Sequence, residues 1–156
     1  MKVLIIGAGI VGAACTRSLA RRGATVTVID RGAPAGATSA AGEGNLLVSD
    51  KAPGAELDLA RYSLGLWASL RTELAAETNG AFASFEYQPK GGVVAASGEA
   101  AAAALSRFAE AQRRAGVDAR PLSVQEARAL EPELAASITS AVHYPEDAQV
   151  QPAIAT

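Results

Sequence analysis

Hydrophobic and polar positions divide the chain into short apolar runs separated by glycine-rich turns and longer amphipathic stretches. Lys2–Ile6 is a continuous aliphatic, β-branched run, the pattern of a strand buried on both faces of a parallel sheet. Residues 10–22 switch to a helical period, with Val11, Ala14, Cys15 and Leu19 on one side, and Gly23 marks the stop. Thr25–Ile29 repeats the buried-strand pattern and completes a βαβ unit. Residues 31–53 are rich in Gly, Ala, Ser, Thr and Pro, interrupted by the apolar Asn45-Leu46-Leu47-Val48, and read as a long functional loop. Ala55–Thr78 is the longest helical pattern, carried by Leu57, Leu64, Trp67, Leu70 and Leu74, and Asn79-Gly80 ends it. Residues 83–97 alternate around the turn Pro89-Lys90-Gly91-Gly92 and predict a β-hairpin. An alanine-rich helix over 99–115, a short strand over 119–122, a capping box at Ser123 and Glu126, and a strand over 141–144 follow. Gln151-Pro152 has the form of a helix start, so Thr156 reads as a cut edge.

Composition narrows the class. The 156 residues are 49% apolar and 19% charged, as in a globular domain with a real core. A net charge of -2 and a pI near 5.4 leave no basic footprint, which argues against a nucleic-acid partner. Cys15 is the only cysteine, so no disulfide framework exists, and it is expected to be a small buried hydrophobe. No run reaches the ~20 apolar residues of a membrane span. The cytoplasm is therefore the default compartment. His143, the only histidine, has no second ligand at a helical or turn spacing, so no metal site is expected and a structural role is preferred over general-base work. Glu56, Asp58, Arg61 and Arg71 read as the wet face of the long helix.

The chemistry concentrates in Gly7-Ala8-Gly9-Ile10-Val11-Gly12, a G-x-G-x-x-G pattern between a strand and a helix, with Asp30 closing the next strand. Gly7 permits the tight turn, Gly9 lets backbone approach a pyrophosphate, and Gly12 lets helix and strand pack closely. The amides opening the helix, including those of Ala8, Ile10 and Val11, carry partial positive charge toward phosphates. Asp30 can accept both hydrogens of a ribose diol. Arg31 either lies near the adenine and ribose or is an ordinary surface arginine. The pattern alone does not separate FAD from NAD.

Beyond Asp30, "DRGAPAGATSAAGEGNLLVS" resembles the D-amino acid oxidase family of FAD-dependent oxidoreductases, which takes in glycine oxidase, sarcosine oxidase and D-amino acid dehydrogenase. Its G-x-T-S-x-x-x-x-G stretch runs along the flavin. By this resemblance Thr38 and Ser39 contact the phosphate and ribityl region, while Gly44 and Asn45 lie beside the isoalloxazine ring. "PLSVQEARALEPEL" and "AVHYPEDAQVQP" are similar to the family's L-s-x-x-E-A-x-x-L-E-P-x-L and P-x-D-x-x-V-x-P segments. Glu43 departs from the family's small or polar residue and puts fine substrate preference in doubt.

The resemblance implies an α/β fold: a Rossmann-type FAD-binding portion over 1–80, the first segment of an antiparallel-stranded α+β substrate domain over 81–145, and a return into the FAD domain from 146. It implies FAD as cofactor, an amine or amino acid as substrate, and hydride transfer to the flavin. No residue here is named catalytic, and the chain alone is expected to be inactive, because the family's substrate arginine and later strands are not in it. A missing C-terminal half or a second polypeptide is the expected partner. Two rivals stay open: a natural subunit of a split or heteromeric flavoenzyme, and a non-catalytic NAD-binding module.

Overall fold

The computed structural model describes residues 1–81 and 84–156. Its elements are β1 (Lys2–Ile6), α1 (Ile10–Ala20), β2 (Thr25–Ile29), β3 (Asn45–Leu46), α2 (Ala55–Glu77), β4 (Gly92–Ser97), α3 (Glu99–Arg114), β5 (Arg120–Leu122), α4 (Val124–Leu130), β6 (Ile138–Tyr144), β7 (Ala148–Gln149) and α5 (Pro152–Ala155). They fall into two compact units, one of residues 1–44, 83–86 and 150–156, the other of 45–82 and 87–149. The expected boundary at 80/81 differs from this division because Leu57 of α2 packs with residues of α3 and β6.

In the first unit β1 and β2 pair in parallel from Lys2↔Thr25 to Ile6↔Ile29, and α1 covers one face of the pair. Among the described residues only that face is covered, which corrects the expectation of strands buried on both sides. Leu4 and Ile6 are 59% and 82% exposed, and no described residue of β2 is buried. A single crossover helix shields a single face of the ribbon it connects. Cys15, expected to be buried, is exposed on α1.

The second unit is built on an antiparallel sheet of order β4-β6-β5, with β4 and β6 in register from Gly92↔Tyr144 to Ala96↔Ser140. The predicted hairpin over 83–97 does not form. The partner of β4 is β6, Gln88 makes only an isolated bridge to Gln149, and Ala83 lies outside the described residues. Sequence alternation shows that a strand exists, but it does not show which strand completes its ladder. β6 is longer than expected because it is central, paired on both edges.

Two apolar clusters flank this sheet. Val48, Leu57, Leu105, Ala109, Val117, Ala119, Val142 and Tyr144 form the larger, and Ala127, Ile138 and Ala141 the smaller. The predicted capping box is present: the Glu126 N–H donates to Ser123 Oγ at 3.2 Å, and the Ser123 N–H donates to Glu126 Oε2 at 2.8 Å. The Ser123 hydroxyl, donating to Glu126 Oε2 at 2.7 Å, and then the Ser123 N–H hold the Glu126 carboxyl below its usual range.

Leu57 is 1% exposed within the larger cluster, whereas Leu59, two residues on, is 66% exposed. Leu57→Ala should therefore cost about 2–5 kcal/mol through lost transfer energy and the cavity left behind. Leu59→Ala should stay within about 0.5 kcal/mol of wild type. Urea denaturation followed by circular dichroism measures both.

Candidate dinucleotide-binding site

The site is assembled where β1 ends. The Gly7 N–H donates to Ile29 O at 2.8 Å, carrying the parallel ladder one step past the strands before the chain turns at φ +110°. Gly12 faces that turn so closely that a β-carbon on it would stand 1.9 Å from the Gly7 carbonyl oxygen. The close helix–strand packing assigned to Gly12 is thus a direct steric requirement. Ala13 is the first residue of α1 whose N–H closes a helical bond, to Gly9 O at 2.9 Å. The amides of Ile10, Val11 and Gly12 open the helix, where N–H groups have no intrahelical acceptor.

Two side chains predicted to bind cofactor organise this loop. Asp30 Oδ2 accepts the Ala8 N–H at 2.8 Å and Oδ1 accepts the Gly32 N–H at 2.9 Å. The Ala8 bond first, then the Gly32 bond, holds the Asp30 carboxyl below its ordinary value. Each carboxylate oxygen keeps a further lone pair, so this ligation leaves capacity for a ribose diol. Ser39 Oγ accepts the Ile10 N–H at 3.0 Å. A β-carbon on Gly9 would meet that hydroxyl oxygen at 3.0 Å, so Gly9 keeps open the space between the loop and Ser39.

The segment carrying Ser39 is anchored by the Ala35 N–H, which donates to Ala8 O at 2.9 Å. Ala35 itself is buried at φ +57°, a left-handed conformation that costs a residue with a β-carbon about 1–2 kcal/mol. Thr38 and Arg31 are both exposed, and Val11 is 73% exposed at the first turn of α1. The structure therefore brings together Gly7, Ala8, Gly9, Ile10, Val11, Gly12, Asp30 and Ser39, with Thr38 and Arg31 on the surrounding surface.

Gly44 has a second constraint that sequence reasoning missed. It sits at φ +77°, its carbonyl accepts the Val150 N–H at 2.9 Å, and a β-carbon would fall 1.9 Å from Val150 O and 3.1 Å from Pro152 Cδ. Its need for glycine is thus met by the returning chain, independently of any ring lying against it. Asn45 opens the other unit, where it pairs with Gln149 in the β3–β7 ladder.

That second unit holds a cavity of about 210 Å³, with Leu46, Leu47, Leu64 and Trp67 as apolar wall and Asn45, Asp50, Lys51 and Ser63 as polar lining. Lys51 Nζ lies 2.7 Å from Asp50 and 3.5 Å from Glu56. The bond to Asp50 raises its pKa, which keeps it an ammonium. Among the described residues, no cluster of His, Cys, Asp or Glu could hold a metal ion. No helix among them is long and apolar enough to cross a membrane.

A glycine-lined turn between a parallel strand and a helix, with a carboxylate at the tip of the next strand, defines a dinucleotide-binding protein of the Rossmann type. The model of the family "DAO: FAD dependent oxidoreductase" matches residues 2–156, and the chain belongs to this FAD-dependent family. Solved structures agree. Glycine oxidase from Bacillus cereus ATCC 14579 is 30% identical with a TM-score of 0.88, covering 99% of this chain and 41% of its own. Glycine oxidase from Geobacillus kaustophilus is 29% identical at a TM-score of 0.89, with 98% and 41% covered. Iminodiacetate oxidase from Chelativorans sp. BNC1 is 29% identical at 0.80, with 97% and 41% covered. The chain thus spans 41% of the length of each of these solved chains. No curated protein sequence matches it.

Two outcomes follow from this geometry. Gly44→Ala should destabilise the fold by about 2 kcal/mol or more, because neither the positive φ nor the Val150 carbonyl can yield cheaply, and thermal denaturation reads the loss. The Asp30 bonds should respond to acid in one direction. A carboxyl with a lowered folded-state pKa contributes fully above the unfolded value, 3.8 for Asp30, and its contribution disappears as pH falls through the lowered value. Exchange of the Ala8 amide, followed by NMR, should therefore stay slow at pH 5 and accelerate only below the ordinary carboxylate range.

Proposed function

We propose that this chain carries the cofactor-binding part of an FAD-dependent oxidoreductase that oxidises an amine or amino acid. The observation carrying this reading is the joint ligation of the glycine loop by Asp30 and Ser39, which leaves a space at Gly9 that a β-carbon would fill. The residues fit an adenosine diphosphate moiety. The Ala8 and Ile10 amides already donate to Asp30 and Ser39, so pyrophosphate oxygens would take the Val11 and Gly12 amides, supported by the helix dipole, and the ribose hydroxyls would donate to Asp30. By the family resemblance, Thr38 and Ser39 lie along the phosphate and ribityl chain, with Gly44 and Asn45 beside the ring.

Bound FAD supplies the hydride acceptor, and the protein supplies binding, orientation and electrostatics. The proposed substrate class rests on similarity to glycine and iminodiacetate oxidases, and the product would be an imine that hydrolyses to a carbonyl compound. A cytoplasmic location belongs to the same proposal.

A second observation favours a partner. The uncovered face of β1 and β2 exposes Leu4 and Ile6, together with Ile29, the register partner of Ile6, which is 47% exposed. An apolar surface of this kind marks a place where protein docks. We assign it to further polypeptide, either a continuation of this sequence or a second subunit of a heteromeric flavoenzyme.

The test is cofactor uptake. The purified chain should bind FAD, read as a bound-flavin absorbance band after desalting, in preference to NAD. Gly9→Val should reduce FAD binding below detection while leaving far-ultraviolet circular dichroism unchanged. Asp30→Ala should weaken it by a smaller factor. A colourless chain that takes up NAD would instead support the dinucleotide-module alternative.

A further inference from the structure

The cavity of the second unit combines an apolar wall with a charged edge, and its lining residues all lie within 45–67, inside that one unit. One side is the backbone over 45–51, which the fold holds from behind. Asp147, 2% exposed, accepts the Val48 and Ser49 amides on Oδ1 at 2.8 and 3.2 Å. Gln112, 0% exposed, donates from Nε2 to the carbonyls of Val48 at 3.0 Å, Ser49 at 3.3 Å and Lys51 at 2.8 Å. The Tyr144 hydroxyl donates to Gln112 Oε1 at 2.7 Å. Val48 and Ser49 are buried in this grip, while Leu46, Leu47, Asp50 and Lys51 on either side of them line the cavity. The other side is α2, where Ala60, Ser63, Leu64 and Trp67 recur at helical spacing.

Volume and wall chemistry set the body of a ligand. An engineered apolar cavity of about 150 Å³ takes up benzene, so a volume of about 210 Å³ admits a benzene-sized group with a short polar arm. Leu46, Leu47, Leu64 and Trp67 suit an aromatic or aliphatic body.

The edge sets the charge of the polar arm. Among the described lining residues Lys51 is the one cation, and its Nζ is already shared between Asp50 at 2.7 Å and Glu56 at 3.5 Å. Two carboxylates against one ammonium leave this edge net negative. The bond to Lys51 uses Asp50 Oδ2, and Oδ1 has no partner among the described residues. A carboxylate entering here meets like charge, whereas an ammonium gains a charge-assisted bond. A bare metal ion would leave the apolar wall unused, and no cluster among the described residues could hold one.

We propose that this cavity binds a primary amine with an aromatic or aliphatic body, its ammonium held by Asp50 and its body against Leu46, Leu47, Leu64 and Trp67. The same edge discriminates against the corresponding amino acid, whose carboxylate it repels. Because the site lies wholly within the second unit, it stands independently of the dinucleotide cradle.

Trp67 is the only tryptophan of the chain, so its fluorescence reports on the cavity directly. The full chain, with no flavin added, is titrated with phenethylamine, with phenylalanine, which is the same amine carrying a carboxylate, and with 3-phenylpropionate, which has the acid and no amine. Phenethylamine should bind about tenfold more tightly than either. Asp50→Asn should weaken phenethylamine by about tenfold, the scale of a charge-assisted bond. Lys51→Gln should tighten it, because both carboxylates then serve the ligand. A merely structural role for this pair would not move affinity in opposite directions.

Phenylalanine or phenylpropionate binding as tightly as phenethylamine overturns the proposal, as does a Lys51→Gln that weakens the amine or an Asp50→Asn that leaves it unchanged. The absence of a saturable fluorescence change with all three ligands overturns it too. Should a variant lose its wild-type far-ultraviolet circular dichroism, the wild-type ranking of the three ligands decides. A chain that binds phenethylamine and no FAD refutes the cofactor reading alone, and one that binds FAD and none of the three refutes only this site.

Discussion

A carboxylate taken out of water must find donors inside the protein, and Asp147 finds them 99 and 98 residues away in the chain. Burying such a group without partners costs several kcal/mol, more than most single contacts return. The Val48 and Ser49 amides are therefore obligatory partners, and the chain between them must fold so as to bring them to Asp147. Closing that long loop costs little more entropy than closing a shorter one, because the cost grows only logarithmically with length. Once it is closed, Gln112 can reach three carbonyls and Tyr144 can donate to Gln112, leaving no buried side-chain polar atom unpaired among the described residues. Partial versions of this network are penalised, so it forms as a whole or not at all.

Features set by neighbouring residues were legible from sequence. β1, α1 and β2 follow from an apolar run, a helical period and a glycine stop. The cradle follows from glycine spacing, and the α4 capping box from Ser123 and Glu126 three residues apart. What failed depends on distant partners. β4 looked like half of a hairpin because a turn preceded it, yet its hydrogen bonds go to β6, beyond α3, β5 and α4. Cys15 has the composition of a core residue, but α1 turns it outward. Asp147 lay inside a quoted motif without a role, because nothing in Pro145-Glu146-Asp147 shows that the aspartate is buried. Gln112, in an otherwise ordinary alanine-rich helix, carried no signal at all.

The cradle shows how a loop proposed to bind phosphate can be ordered by its own side chains. Amides at a helix start are hungry for acceptors, and left alone they would be solvated or would let the loop distort. Here Ser39 takes the Ile10 amide and Asp30 takes the Ala8 amide, both with oxygens that retain accepting capacity. The Ala35 anchor, in a conformation that disfavours any residue but glycine, is tolerated because it ties the Ser39 segment to Ala8. A ligand arriving at such a loop finds it already shaped, and preorganisation of this kind raises affinity by lowering the ordering cost of binding.

The glycine cradle of one unit and the 45–51 backbone of the other are thus specified by different physics. The cradle depends on residues 7–39, held by short-range turns and two side-chain bonds, so few substitutions elsewhere should reach it. The backbone over 45–51 depends instead on contacts spanning most of the chain, through Asp147, Gln112 and the β3–β7 ladder. Local recognition tolerates sequence drift outside its motif, whereas long-range positioning ties together residues that look unrelated in sequence. The cradle is therefore written in a contiguous motif, whereas the 45–51 backbone is written in the way a distant turn closes on it.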